Sequence, residues 1–192
     1  MDIYERLDKI LPKLQEKQFR ENKGLGNEIG YHIFDYEPKN ELIVREHIKF
    51  LKQKINDENT SMEIKEFDLY EIMLEILENK NYLNKAMDME SKKGTEYILN
   101  GIQKTLRLTL EIDLVVDYIR QRVNKNQIVF VTGVGKAWPI IRSHLILNTL
   151  HSVIDEIPLV MFFPGTYSGQ ELILFDDIKD DNYYRAFNLV ER

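Results

Sequence analysis

The sequence predicts an α/β protein with three layers, in which a mostly parallel sheet of about five strands is flanked by helices. Two short apolar runs, Ile128–Val131 and Leu159–Phe163, have no polar face, which is typical of strands covered on both sides. A helical pattern lies between them, and strand–helix–strand units of this spacing build parallel sheets with right-handed crossovers. The predicted topology is nucleotide-binding-like.

The composition favours one α/β domain spanning residues 1–192. Of the 192 residues, 43% are hydrophobic and 30% are charged, the ordinary mixture of folded proteins. The chain has no cysteine, which excludes disulfides and thiolate metal sites and favours a reducing cytoplasm. Its net charge of −6 argues against a surface built mainly for DNA phosphates. The apolar runs are far shorter than the roughly 20 residues of a membrane-spanning helix.

The first residues, 1–28, are predicted to form a helical extension. Apolar side chains at helical spacing indicate a helix over Met1–Gln18, with Asp2 as its N-cap and Pro12 as a kink or restart. Ile29–Tyr36 then alternates with apolar groups on both faces, which predicts a buried strand.

A second helix–strand–helix stretch follows in the sequence. A helix is expected from Asn40, and Met62–Phe67 reads as a strand near a sheet edge because every other position is polar. Asp68 is well placed to cap the next helix. Three polar stretches are expected to be surface loops, namely Glu21–Gly30, Asn56–Ser61 and Asn84–Thr95.

The central part is predicted to contain one long buried helix over residues 95–123. Its apolar residues follow alternating steps of four and three, and a second apolar row lies beside them. Residues 127–192 form the strand–helix–strand part. There we expect a helix over about Ala137–Val153 with Pro139 in its first turn, a strand closed by Pro164-Gly165, and a short third strand over Leu172–Phe175.

A glycine-rich turn, Thr132-Gly-Val-Gly-Lys136, follows the first of the buried strands. Phosphate-binding loops occur at such turns, but GxxxxGK[ST] is not matched, because Phe130 replaces the first glycine and Ala137 follows the lysine. Trp138 and Pro139 add bulk where phosphates would lie. The sequence therefore disfavours an ATP site, and we expect the turn to let the chain pass close to a neighbouring loop or a partner.

The remaining polar residues form no recognisable catalytic pattern. The four histidines match no HExxH motif, and the acidic cluster of Asp176, Asp177, Asp180 and Asp181 lacks a metal-binding spacing. We therefore predict no catalytic residue, no metal and no cofactor. The segment Asp180–Val190 combines tyrosines with an arginine, as interface hot spots do, and packing on its own sheet is an equal alternative.

Several segments of the last third give the sequence a family resemblance. It resembles the BrxB family of BREX bacterial phage-defence systems in Val129–Lys136, Pro139–His144, Leu147–Leu150, Pro158–Gln170, Leu172, Phe175 and Asp180–Val190. The first half is similar only in pattern, at Asp35, Pro38 and Glu66–Leu69.

The resemblance implies a role rather than a reaction. BREX systems resist phage and methylate the host's DNA through a methyltransferase, a large AAA+ ATPase, a phosphatase-superfamily protein of the PglZ type and small accessory proteins. No enzymatic activity is established for the BrxB family, so the resemblance supplies no catalytic residue. It implies an associate of the PglZ-type protein.

The glycine turn and the segment after the second buried strand should lie side by side at the carboxyl edge of the sheet, where α/β proteins gather functional loops. We predict a docking surface there that comprises Lys136, Trp138, Arg142 and Tyr167. Further candidate partner-binding residues lie in the tail, namely Asp180, Asp181, Asn182, Tyr183, Tyr184 and Arg185. The loop-shaping residues are Thr132, Gly133, Gly135, Pro164, Gly165 and Gly169.

Three functions compete at this point. The first is a non-catalytic accessory subunit of a BREX complex that docks the PglZ-type protein. The second is a nucleotide-binding or ATPase-like enzyme that uses the turn Thr132–Lys136. The third, direct DNA binding, is disfavoured by the net charge of −6.

Overall fold

The structure is a computed structural model, and it describes residues 1–20, 30–57, 62–108, 110, 112–154, 156–179 and 186–192. The helices are α1 Ile3–Asp8, α2 Ile10–Gln15, α3 Lys17–Arg20, α4 Glu41–Asp57, α5 Leu69–Asn79, α6 Leu83–Lys93, α7 Thr95–Leu106, α8 Leu114–Arg120, α9 Val134–Ala137 and α10 Ser143–His151. The strands are β1 Tyr31–Tyr36, β2 Glu63–Asp68, β3 Gln127–Thr132, β4 Leu159–Tyr167, β5 Leu172–Leu174, β6 Ile178–Lys179 and β7 Phe187–Asn188.

Among the described residues, five strands form the parallel sheet, in the order β2-β3-β4-β1-β7. The outer part of β4 pairs antiparallel with β5, which pairs in turn with β6. The predicted fold class, a mostly parallel sheet of about five strands between helices, is confirmed. The edge position of β2 is also confirmed, and the Asn56 side chain bonds both the N–H and the C=O of Ile64, which protects that edge from further pairing.

Each face of the sheet packs against its own helical layer. On one face α1, α2 and α4 contribute Leu7, Ile10, Leu14, Val44, Ile48, Leu51 and Ile55 to a core with Phe34, Phe130 and Phe162. On the other face α5, α7, α8 and α10 cover Val129, Val131, Met161 and Phe163. The strands are therefore apolar on both sides, as their sequences indicate. None of the helices in the described ranges combines the length and the apolar character that crossing a membrane requires.

The N-terminal helical prediction is confirmed in outline, although the helix is interrupted. Asp2 caps α1 through a capping box with Glu5. The helical run pauses at Lys9 and again at Glu16, so three short helices replace one. Residues 21–29 and 58–61, which belong to two predicted loops, lie outside the described residues.

The prediction of one helix over residues 95–123 is wrong. Helix α7 ends at Leu106, and Arg107 adopts a left-handed conformation that closes it. A second helix, α8, begins at Leu114 under the Asp113 cap. The loop predicted at Asn84–Thr95 is also wrong, since the stretch forms most of α6; its Lys, Glu, Met and Ala residues are good helix formers.

Two C-terminal predictions are also wrong. The helix expected over Ala137–Val153 begins only at Ser143, because Trp138 precedes a proline and is extended, which ends α9 after a single turn. The Trp138-Pro139 peptide bond is cis. Pro164-Gly165 does not close the strand, since β4 continues to Tyr167 and pairs with β5.

Candidate functional site

The carboxyl edge of the parallel sheet brings the predicted segments together. Strands β3 and β4 are neighbours, with Val131 opposite Met161. The turn after β3 therefore lies against the outer part of β4, as predicted. Gly135 is where the two approach, because a Cβ there would lie 3.1 Å from Pro164 and 2.9 Å from the Phe175 ring. The interpretation of the turn as a point of close approach is confirmed.

A carboxylate from β2 lies directly against the glycine turn. Gly133 is left-handed, with φ of 70°, and a Cβ there would collide with the Asp68 carboxylate. Asp68 Oδ1 accepts hydrogen bonds from the backbone N–H groups of Tyr70 at 3.0 Å and Glu71 at 3.3 Å, and Oδ2 pairs with Lys136 Nζ at 2.6 Å. The lysine of the glycine turn is thus held by the protein's own acids, with Glu71 at 3.5 Å.

On the α4 side of this edge lies a polar cavity of about 270 Å³. Lys52 pairs with Glu66 at 2.6 Å, and the Thr132 hydroxyl donates to the other oxygen of Glu66 at 2.9 Å. We call this space the polar cavity; the Lys136–Asp68 pair also borders it. Its acids and bases neutralise each other within the chain.

A phenol closes the far wall of the polar cavity. Tyr36 donates to Glu41 Oε2 at 2.6 Å, and Arg45 pairs with Glu41 Oε1 at 2.7 Å. Burial, together with the negative charge of Glu41, raises the pKa of the Tyr36 hydroxyl, which keeps its proton and serves as a donor. The wall is a satisfied hydrogen-bond network.

The opposite face of the edge carries an apolar notch of about 130 Å³. Its walls come from α9, the segment after it, β4 and the β5–β6 hairpin, and its apolar lining consists of Val134, Ile141, Phe163, Leu172, Leu174 and Ile178. Trp138, Arg142 and Lys179 border it. The indole of Trp138 is 39% exposed. We call this feature the notch.

The predicted docking residues separate into groups. Trp138 and Arg142 meet at the notch, whereas Lys136 borders the polar cavity. Tyr167 does not belong to an exposed surface, because it is 5% exposed and its hydroxyl donates to Ala186 O at 2.8 Å. Asp180, Asp181, Asn182, Tyr183, Tyr184 and Arg185 lie outside the described residues.

The predicted loop-shaping residues also lie in different parts of the structure. Thr132 ends β3, and Gly133 and Gly135 shape the turn as expected. Pro164 and Gly165 are buried strand residues, and Gly165 pairs with Leu174. Gly169 lies in an exposed turn with φ of 87°.

Sequence reasoning missed the residues that complete the edge. Asp68 was recognised as a helix cap but not as the partner of Lys136, and Glu66 and Lys179 were not singled out. One signal was available, since two acids at the end of a strand that precedes a helix point to the carboxyl edge of a parallel sheet. Within the described ranges no group of three or more His, Cys, Asp or Glu side chains is arranged to hold a metal ion.

The fold and its edge define a three-layer parallel α/β protein whose glycine turn holds an internal carboxylate. Sequence comparison then identifies the family: the chain belongs to the BrxB family, with residues 65–189 matching the family described as BREX protein BrxB. A BREX protein BrxB of Bacillus cereus (strain H3081.97) is 63% identical over 190 residues, covering 99% of this chain and 98% of the relative. One of Escherichia coli O9:H4 (strain HS) is 36% identical over 187 residues, covering 96% and 90%. No solved structure matches the chain.

Proposed function

We propose that this protein is a non-catalytic interaction subunit of a BREX phage-defence complex, that it acts in the cytoplasm and that it docks the PglZ-type protein. Membership of the BrxB family supports the role in BREX defence. The PglZ-type partner and the absence of catalysis are the finer parts of the proposal.

The observation that carries the proposal is the state of the glycine turn. In α/β proteins ligands bind beyond the carboxyl ends of the strands, and an anion there needs free N–H groups and free cations. Here Asp68 accepts from two N–H groups at the start of α5 and also holds the Lys136 ammonium. A triphosphate at this turn would meet the negative charge of Asp68 and compete with it for the Lys136 ammonium.

The experiment is reconstitution from purified components. The tagged protein is mixed with the PglZ-type protein, the methyltransferase or the AAA+ ATPase of the same BREX system, and complexes are separated by size-exclusion chromatography. We expect a stable complex with the PglZ-type protein. If the protein elutes alone in every mixture, the proposed function is wrong.

A nucleotide titration separates this function from the nucleotide-binding alternative. A ligand that binds only the native state raises the melting temperature when it is well above its Kd. We expect ATP with Mg²⁺ to leave the melting temperature of the wild-type protein unchanged. A rise that Lys136→Ala abolishes would favour the alternative.

A further inference from the structure

The two faces of the carboxyl edge differ in whether their lysine and arginine side chains form ion pairs with other described residues. In the polar cavity Lys136 pairs with Asp68, and Lys52 with Glu66. At the notch neither the Arg142 guanidinium nor the Lys179 ammonium has an ion pair or a hydrogen bond to any residue in the described ranges. Both side chains border an apolar cavity, so the notch combines an apolar interior with two cations that no side chain in the described part of the chain neutralises.

The notch is large enough to hold one side chain of a partner. A cavity of about 130 Å³ is close to the roughly 150 Å³ that accommodates a benzene ring in a protein interior. Its floor offers buried apolar groups from separate elements, such as Phe163 of β4 and Leu174 of β5. The exposed face of Trp138 stands beside it, and exposed tryptophan and arginine side chains are the residue types that most often anchor protein interfaces.

Three contacts hold the walls of the notch in place. Phe175, at the tip of the β5–β6 hairpin, packs on Gly135, and the Thr166 hydroxyl donates to Asp176 at 2.6 Å. On the other side the Gln103 amide donates to the carbonyl of Ile140 at 3.2 Å. The notch is thus built by fixed elements, which lowers the entropy lost when a partner binds.

We propose that the notch receives an acidic segment of a partner protein, which inserts one apolar side chain and places a carboxylate between Arg142 and Lys179. Covering these two cations removes them from water, and only an opposite charge on the partner compensates that loss. Because the whole chain carries a net charge of −6, a local cationic rim also restricts where an acidic segment can bind. The inference rests on the proposed function and adds to it the surface and the chemistry of the partner segment.

The test measures binding of the purified PglZ-type protein to the intact chain by biolayer interferometry. If reconstitution finds another BREX component as the partner, that component replaces it. The notch variant is the double substitution Arg142→Glu with Lys179→Glu. The matched control is Lys85→Glu with Lys92→Glu, because both lysines are exposed on α6 and do not border the notch. Each pair changes the net charge by the same amount, so a general charge effect appears in both.

We expect the notch variant to bind at least about tenfold more weakly and the control to bind as the wild type does. Trp138→Ala is expected to weaken binding by about tenfold as well. Raising the salt concentration should weaken the wild-type complex more than the Arg142→Gln, Lys179→Gln variant. Circular dichroism and melting curves verify that the exposed substitutions leave the fold intact.

The results that would overturn the notch inference can be told apart from those that would also overturn the proposed function. If the wild type binds and the notch variant binds equally well, the inference is overturned and the proposed function stands. If the wild type binds no BREX component, both fall. If duplex DNA binds the wild type and not the notch variant, the two cations serve phosphates, and the acidic-segment proposal is overturned.

Discussion

The backbone at Gly133 favours glycine for two separable reasons. Its φ of 70° disfavours a side chain, and a Cβ would also strike the Asp68 carboxylate. We expect Gly133→Ala to lower the free energy of unfolding by about 2–3 kcal/mol, because such conformations cost of order 1–3 kcal/mol and the clash disturbs the Lys136 pair. Gly169→Ala is the control, since its φ is 87° but nothing lies within 4 Å. Equal losses in urea unfolding would contradict the role given to Asp68.

The candidate site was only partly predictable at the level of residues. The sequence places Lys136 at the end of the glycine turn. It does not reveal that Asp68 reaches this lysine, because the contact depends on β2 pairing in parallel with β3, with Asp68 opposite Thr132. The prediction that Tyr167 belongs to an exposed docking surface was wrong for a related reason: the chain returns beside Tyr167 at Ala186 and covers it.

The helices were likewise only partly predictable from the sequence. Helix α4 was predictable because Val44, Ile48, Leu51 and Ile55 repeat once per turn and all are buried. Periodicity alone failed at residues 95–123, since the apolar stripe continues in register across the break between α7 and α8. Asp113 was the available signal, because its side chain accepts from the N–H groups of Val115 and Val116 and so begins a new helix.

The end of α7 supplies a prediction about this break. Arg107 has φ of 57°, and Leu108 N–H bonds back to Gln103 O, as in a C-terminal motif that normally holds glycine. We expect Arg107→Gly to raise the free energy of unfolding by about 0.5–1 kcal/mol, because a left-handed non-glycine residue costs roughly 1–2 kcal/mol and glycine gives part of that back as unfolded-state entropy. Arg107→Ala is the matched control and should bring no gain. A destabilised glycine variant in urea unfolding would contradict this account.

At the scale of the molecule, one buried carboxylate joins segments that are far apart in sequence. Asp35 at the end of β1 is 2% exposed. Its Oδ1 pairs with Arg6 of α1 at 2.9 Å, while its Oδ2 accepts from the Tyr167 N–H at 3.0 Å and pairs with Arg192 at 2.8 Å. Arg6 also donates to Val190 O at 3.0 Å. The first helix, the central strands and the last residues therefore converge on a single group.

We expect Asp35→Asn to lower the free energy of unfolding by about 3–5 kcal/mol, because it leaves the buried Arg6 guanidinium without a counter-ion. Arg192→Gln should cost about 1 kcal/mol or less, since that side chain is 43% exposed and water screens its charge. Urea unfolding of the two variants gives the comparison. Adding Arg6→Met to Asp35→Asn removes the unpaired charge, so the double variant should lose less than the sum of the single losses. Strict additivity would mean that Asp35 stabilises the fold through its other contacts rather than by neutralising Arg6.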